Sequence, residues 1–109
     1  MSESTEDTPV LDLLVGMTAD SVGVSSLDTE TLMLVRLAAL VAVGAPPPSY
    51  LTNLEAGVAA GIDADHVVGV LAAVAPIVGT PRVVEAAAGI AKSLAFEIAV
   101  ADAEEQDEV

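Results

Sequence analysis

Arg36, Ser49, Tyr50, Asn53 and His66 are the residues whose side chains could hold or work on a small polar molecule. Arg36 is the charged residue of the run Leu32–Val43, which is otherwise apolar. Burying a guanidinium without a partner is costly, so two readings follow. Arg36 is either a structural ion pair with Glu30, Glu55 or Glu85, within the chain or across a subunit boundary, or an anchor for an anionic substrate. The second reading rests on the planar fork of arginine, which matches a carboxylate. Ser49, Tyr50 and Asn53 follow directly on the run Pro46-Pro47-Pro48. A hydroxyl and an amide hydrogen-bond a substrate oxygen, and a phenol can donate a proton, whereas an amide moves no proton near neutral pH. His66 is the chain's single imidazole and lies just after Asp63. It is either a polar capping residue of a helix start or a member of a Ser-His-Asp type arrangement.

Other chemistry has no residues to perform it. Without cysteine there is no disulfide and no thiol nucleophile, and one His cannot build a zinc site, so no metal is expected. The glycines are dispersed as helix terminators and form no phosphate-binding loop, so no cofactor is expected either. The balance of 17 acidic to 3 basic residues gives a formal charge of −14, which repels nucleic acid and anionic membrane surfaces. The longest apolar runs fall short of the about 18 residues of a spanning helix, and Arg36 or Pro76 interrupts each. The N-terminus MSESTEDTPV is acidic where a signal peptide is basic and then apolar, so a cytoplasmic location is expected.

Helices must position these residues. Thr8-Pro9 opens a first helix expected to reach Asp20, before Gly23 and Ser25-Ser26 break the chain. Asp28 caps a second that ends at Val43 with Gly44. The prolines open a third, from Pro47 to Ala60, terminated by Gly61. Asp63 caps a fourth, Ala64 to Val78, and Thr80-Pro81 opens the last, Pro81 to Ala101. Arg82 and Glu85 are expected as a surface pair, with Lys92 in a similar role. The reading is a single all-α domain over residues 8–101, flanked by an acidic disordered tail at 1–7 and a second acidic tail at 102–109. Hydrophobic residues make up 53% of the chain, with mean hydropathy +0.66. A domain this small cannot hide so much apolar surface, and a second helix that is apolar nearly all round calls for cover from neighbouring subunits.

Three segments, "LDTETLMLVRLAALVAVGAP", "NLEAGVAAGIDADHVVGVL" and "PIVGTP", occur in the order and at the separations of a known family. Over Leu27 to Lys92 the chain resembles the carboxymuconolactone decarboxylase family, which includes the alkyl hydroperoxidase D-like proteins. The resemblance implies a five- to six-helix all-α fold that assembles into homo-oligomers, trimers or hexamers, with sites in clefts between helices near subunit contacts. In the hydroperoxidase branch, a Cys-x-x-Cys pair falls on Pro46 and Ser49, a His on Asn53 and a Glu on Leu34. Thiol peroxidase chemistry is therefore not expected. The decarboxylase branch has His where Asn53 stands and Arg near Leu32. What remains is a cysteine-independent lyase or hydrolase acting on a small carboxylated, lactone-type molecule. Arg36 would hold the carboxylate, Ser49 and Asn53 would hydrogen-bond the substrate, and Tyr50 would donate a proton, so the candidates are Arg36, Tyr50 and Asn53 for catalysis, and Arg36, Ser49 and His66 for substrate binding. The alternative is a catalytically inert binding or scaffolding oligomer that retains the family fold.

Overall fold

The computed structural model describes residues 8–108, with side chains described as far as Leu94. It is all-helical: α1 (Pro9–Val24), α2 (Thr29–Val43), α3 (Pro47–Ala59), α4 (Ala64–Val78) and α5 (Thr80–Glu108). Among the described residues there is no strand, and no helix is long and apolar enough to cross a membrane. The acidic segment 1–7 lies outside the described residues.

Local chemistry accounts for most of the boundaries. The Asp28 carboxylate accepts from the Thr31 N–H at 2.8 Å, which satisfies one of the orphan donors at the start of α2 and holds its carboxyl below the usual range. Gly44 ends α2 in the left-handed conformation, φ 71°, with its N–H on the Leu40 and Val41 carbonyls. At α3 the three prolines have no N–H to leave unpaired, and the next donor, Ser49 N–H, reaches Pro46 O at 3.0 Å. Gly79 is the whole connection between α4 and α5, and its φ of 89° suits glycine alone.

Two ends differ from the sequence reading. Helix α1 passes Asp20 and Gly23 to Val24, because the first effective stop is Ser25, where the backbone turns extended. Helix α5 passes Ala101 and includes 102–108, the acidic segment read as tail.

Helices α2 to α5 pack around one core. Leu37 and Val41 of α2, Tyr50 and Leu54 of α3, and Ala86 and Ile90 of α5 form its buried centre. Helix α4 covers it with the partly buried Val67, Val70, Leu71, Val74 and Val78. Ser93 is the buried polar residue among the described residues, and its hydroxyl donates to Pro47 O at 2.7 Å, tying α5 to the start of α3. Helix α2 is buried on one side only: Val35 remains 50% and Val43 73% exposed. Helix α1 stands apart and buries none of its residues.

Gly44 offers a check on this frame. A Cβ there would meet the end of the Arg82 side chain, which can move, but the positive φ cannot be relieved. Gly44→Ala is expected to cost about 1 kcal/mol, measured by chemical denaturation.

Candidate cleft between α1, α2 and α3

Arg36 leaves α2 on the side that faces α1. Its Nη2 donates to the Thr18 carbonyl of α1 at 3.3 Å. Among the described residues it makes no salt bridge, so the expected pairs with Glu30, Glu55 or Glu85 do not form within the chain. Glu30 instead lies 3.8 Å from His66 Nε2, and Glu85 lies beside Gly44. The guanidinium thus has one weak backbone acceptor and further N–H donors to offer.

Those donors belong to a cleft of about 460 Å³. Met17, Thr18 and Ser21 of α1 form one wall, Met33 and Arg36 of α2 the floor, and Thr52 and Asn53 of α3 the other wall. Asn53 donates Nδ2–H to its own helix at Ser49 O, 2.9 Å away, which fixes the amide and leaves Oδ1 unpartnered among the described residues. Thr52 Oγ1 donates back to Pro48 O at 3.3 Å. Among the described residues Arg36 is the one charged side chain lining this space. The cleft offers positive charge, a side-chain amide and hydroxyls on an apolar floor of Met33 and Leu40. That combination suits a small anion with an apolar body.

The structure brings Arg36 and Asn53 together but sends the other candidates elsewhere. Ser49 contributes its carbonyl to Asn53, and its side chain does not line the cleft. Tyr50 turns into the core, 1% exposed, with its ring against Gly89: a Cβ on Gly89 would stand 3.2 Å from Tyr50 Cε2. Its hydroxyl is buried and finds no partner among the described residues. Burial, and then the Glu85 carboxylate, push its ionisation above the ordinary tyrosine value, with Arg82 opposing.

His66 closes the start of α4. Its Nδ1 accepts from the Asp63 N–H at 3.1 Å while its own N–H reaches Asp63 Oδ1 at 3.0 Å, a reciprocal capping box. The same Nδ1 stands 3.0 Å from Asp63 Oδ1, and Nε2 lies on the Glu30 side. The capping reading of His66 is the one the geometry displays. Among the described residues Arg82 and Glu85 form no salt bridge; both reach instead to the end of α2 at Gly44. Lys92 lines the groove beside Pro47 and Pro48. Among the described residues, no group of three or more His, Asp or Glu side chains is placed to hold a metal ion.

The α1 wall, with Met17, Thr18 and Ser21, was not anticipated from sequence. Its residues are unremarkable in type, and only the crossing of α1 over Arg36 gives them a place in the cleft. Comparison with protein-family models, curated proteins and solved structures finds no match for this chain.

Proposed function

We propose that this chain is a carboxymuconolactone-decarboxylase-like protein that assembles as a homo-oligomer, a trimer or hexamer, and binds a small carboxylated molecule of the lactone-acid type in the cleft at Arg36. The observation that carries the reading is the Arg36 guanidinium, which lines a cleft of mixed polar and apolar walls with no carboxylate of the described residues upon it. A protein of charge −14 has little reason to keep an unpaired cation among apolar residues except to meet an anion. Asn53 Oδ1 and the Thr18, Ser21 and Thr52 hydroxyls then select for the polar groups on the body of the ligand.

Binding is favoured over turnover by the same geometry. Neither Tyr50 nor His66 lines the cleft, and no side chain that does can exchange a proton near neutral pH. The binding oligomer is thus the reading the cleft supports best, and lyase or hydrolase chemistry would need a proton carrier brought from outside the lining residues.

Calorimetric titration with 5-oxotetrahydrofuran-2-carboxylate and with its methyl ester tests the reading. The acid is expected to bind and the ester to bind at least about tenfold more weakly, since a hydrogen bond to a charged group contributes about 1.5–3 kcal/mol. Equal affinities would remove the carboxylate from the proposal.

A further inference from the structure

The basic residues other than Arg36 are Arg82 and Lys92, both on α5. They border a second cavity, of about 290 Å³, where α5 passes the α2–α3 connection. Lys92 and Glu85 line it, with Gly44 and Gly89 among the small residues around them. The Arg82 guanidinium lies against Gly44, and Glu85 Oε1 stands 3.5 Å from where a Cβ on Gly44 would be. This cavity shares no lining residue with the Arg36 cleft.

The polar groups around it are unsatisfied. Among the described residues, Arg82, Glu85 and Lys92 make no hydrogen bond and no salt bridge, although Arg82 and Glu85 stand three apart on one helix, a spacing that permits a pair. Tyr50 packs its ring on Gly89 and leaves its hydroxyl buried without a partner among the described residues. After burial itself, the Tyr50 phenol feels Glu85 and then Arg82, so both side chains stand near the same group.

We infer that this cavity is a binding site for an acidic α-amino acid of the length of glutamate. Arg82 and Glu85 meet at Gly44, which sets a carboxylate-binding fork beside an ammonium-binding carboxylate. An amino acid carries the complementary carboxylate and ammonium on its one α-carbon. Lys92 stands seven residues beyond Glu85, about 10 Å along α5, and meets a second carboxylate at the far end of the ligand. Two cations and one carboxylate thus face two carboxylates and one ammonium. The site's net positive charge is local, and the chain's −14 disfavours a dianion more than an amino acid of charge −1. The lactone acid proposed for the Arg36 cleft has no ammonium for Glu85, so the two sites take different ligands and this inference stands apart from that one.

The test is titration of the full chain with L-glutamate, followed in nitrogen-15 spectra of the arginine Nε–H groups, so that affinity is read at Arg82 itself. Glutarate is the control, because it keeps both carboxylates and lacks the ammonium. Glutamate is expected to shift the Arg82 signal saturably, and glutarate to bind there at least about tenfold more weakly. Lys92→Met and Glu85→Gln each weaken glutamate by about tenfold or more. Both side chains are exposed, so the bundle survives either change and helical circular dichroism is retained. Glu85→Gln also abolishes the preference for glutamate over glutarate, an effect that altered packing alone does not produce. An Arg82 signal that glutamate does not move, equal affinity for glutarate, or unchanged affinity in Lys92→Met overturns the inference. Failure of the lactone acid at Arg36 leaves the Arg82 response as it is.

Discussion

Replacing Tyr50 by alanine is expected to destabilise the protein by about 3–5 kcal/mol, while Tyr50→Phe leaves it as stable as the parent or more so. Tyr50 is 1% exposed and is, with Val41, one of the two largest fully buried side chains among the described residues. It stands where α3 meets α5, and Gly89, which lies against the ring, has no side chain to fill the space the ring leaves. The cavity would therefore persist. A domain of this size has about 5–15 kcal/mol of stability in all, and its core is built from few large residues. The phenylalanine control separates ring from hydroxyl. A buried hydroxyl without a partner costs about 1–3 kcal/mol, and its removal relieves that cost. Denaturant unfolding of the two variants measures both effects, and a Tyr50→Phe protein less stable than the parent would show that the hydroxyl is hydrogen-bonded after all.

The same residue sets an alkaline limit. Burial and Glu85 raise its ionisation in the folded protein above the ordinary 10.0. Between that value and the raised one, the folded state binds more protons than the unfolded chain, so stability falls as pH rises through this window. Below pH 10 Tyr50 contributes no pH dependence. The Tyr50→Phe protein is expected to lack this part of the alkaline loss.

Replacing Arg36 by methionine is expected to weaken binding of a small carboxylate by about 10- to 100-fold, with the assembled mass unchanged. Methionine keeps an apolar stem and removes the charged fork. Arg36→Lys is expected to fall between the two, since it keeps the charge but cannot present two parallel N–H donors. Loss of assembly in Arg36→Met would mean that the guanidinium pairs with a carboxylate of another copy, the structural reading of this residue.

The helices were legible in the sequence because their punctuation is chemical. Asp28, Gly44, Pro47, Asp63 and Gly79 stop or start helices for reasons a single residue carries, and each does so in the structure. Where the signal was weaker the reading fell short: Gly23 sits inside α1, and α5 continues through acidic residues that looked like tail. Arg36 could be selected as a cleft residue because its charge is out of place on an apolar helix, whereas Asn53 and Ser49 were singled out by the spacing of the family resemblance. Tyr50 was grouped with them as their neighbour, but successive residues on a helix point in different directions. Tyr50 faces α5, while Thr52, Asn53 and Ala56 face α1 and α2. The α1 wall and the Ser93 bond to Pro47 depend on contacts between distant segments, and no local pattern marks them.

The most direct test of the carboxylate cleft uses the scarcity of basic residues. Arg36 and Arg82 are the arginines of the chain, so a nitrogen-15 spectrum of the arginine Nε–H groups contains two signals, assigned with Arg82→Lys. Titration with 5-oxotetrahydrofuran-2-carboxylate is expected to shift the Arg36 signal saturably while the Arg82 signal stays in place. An Arg36 signal that does not move as the acid is added, or a shift confined to Arg82, would contradict the account.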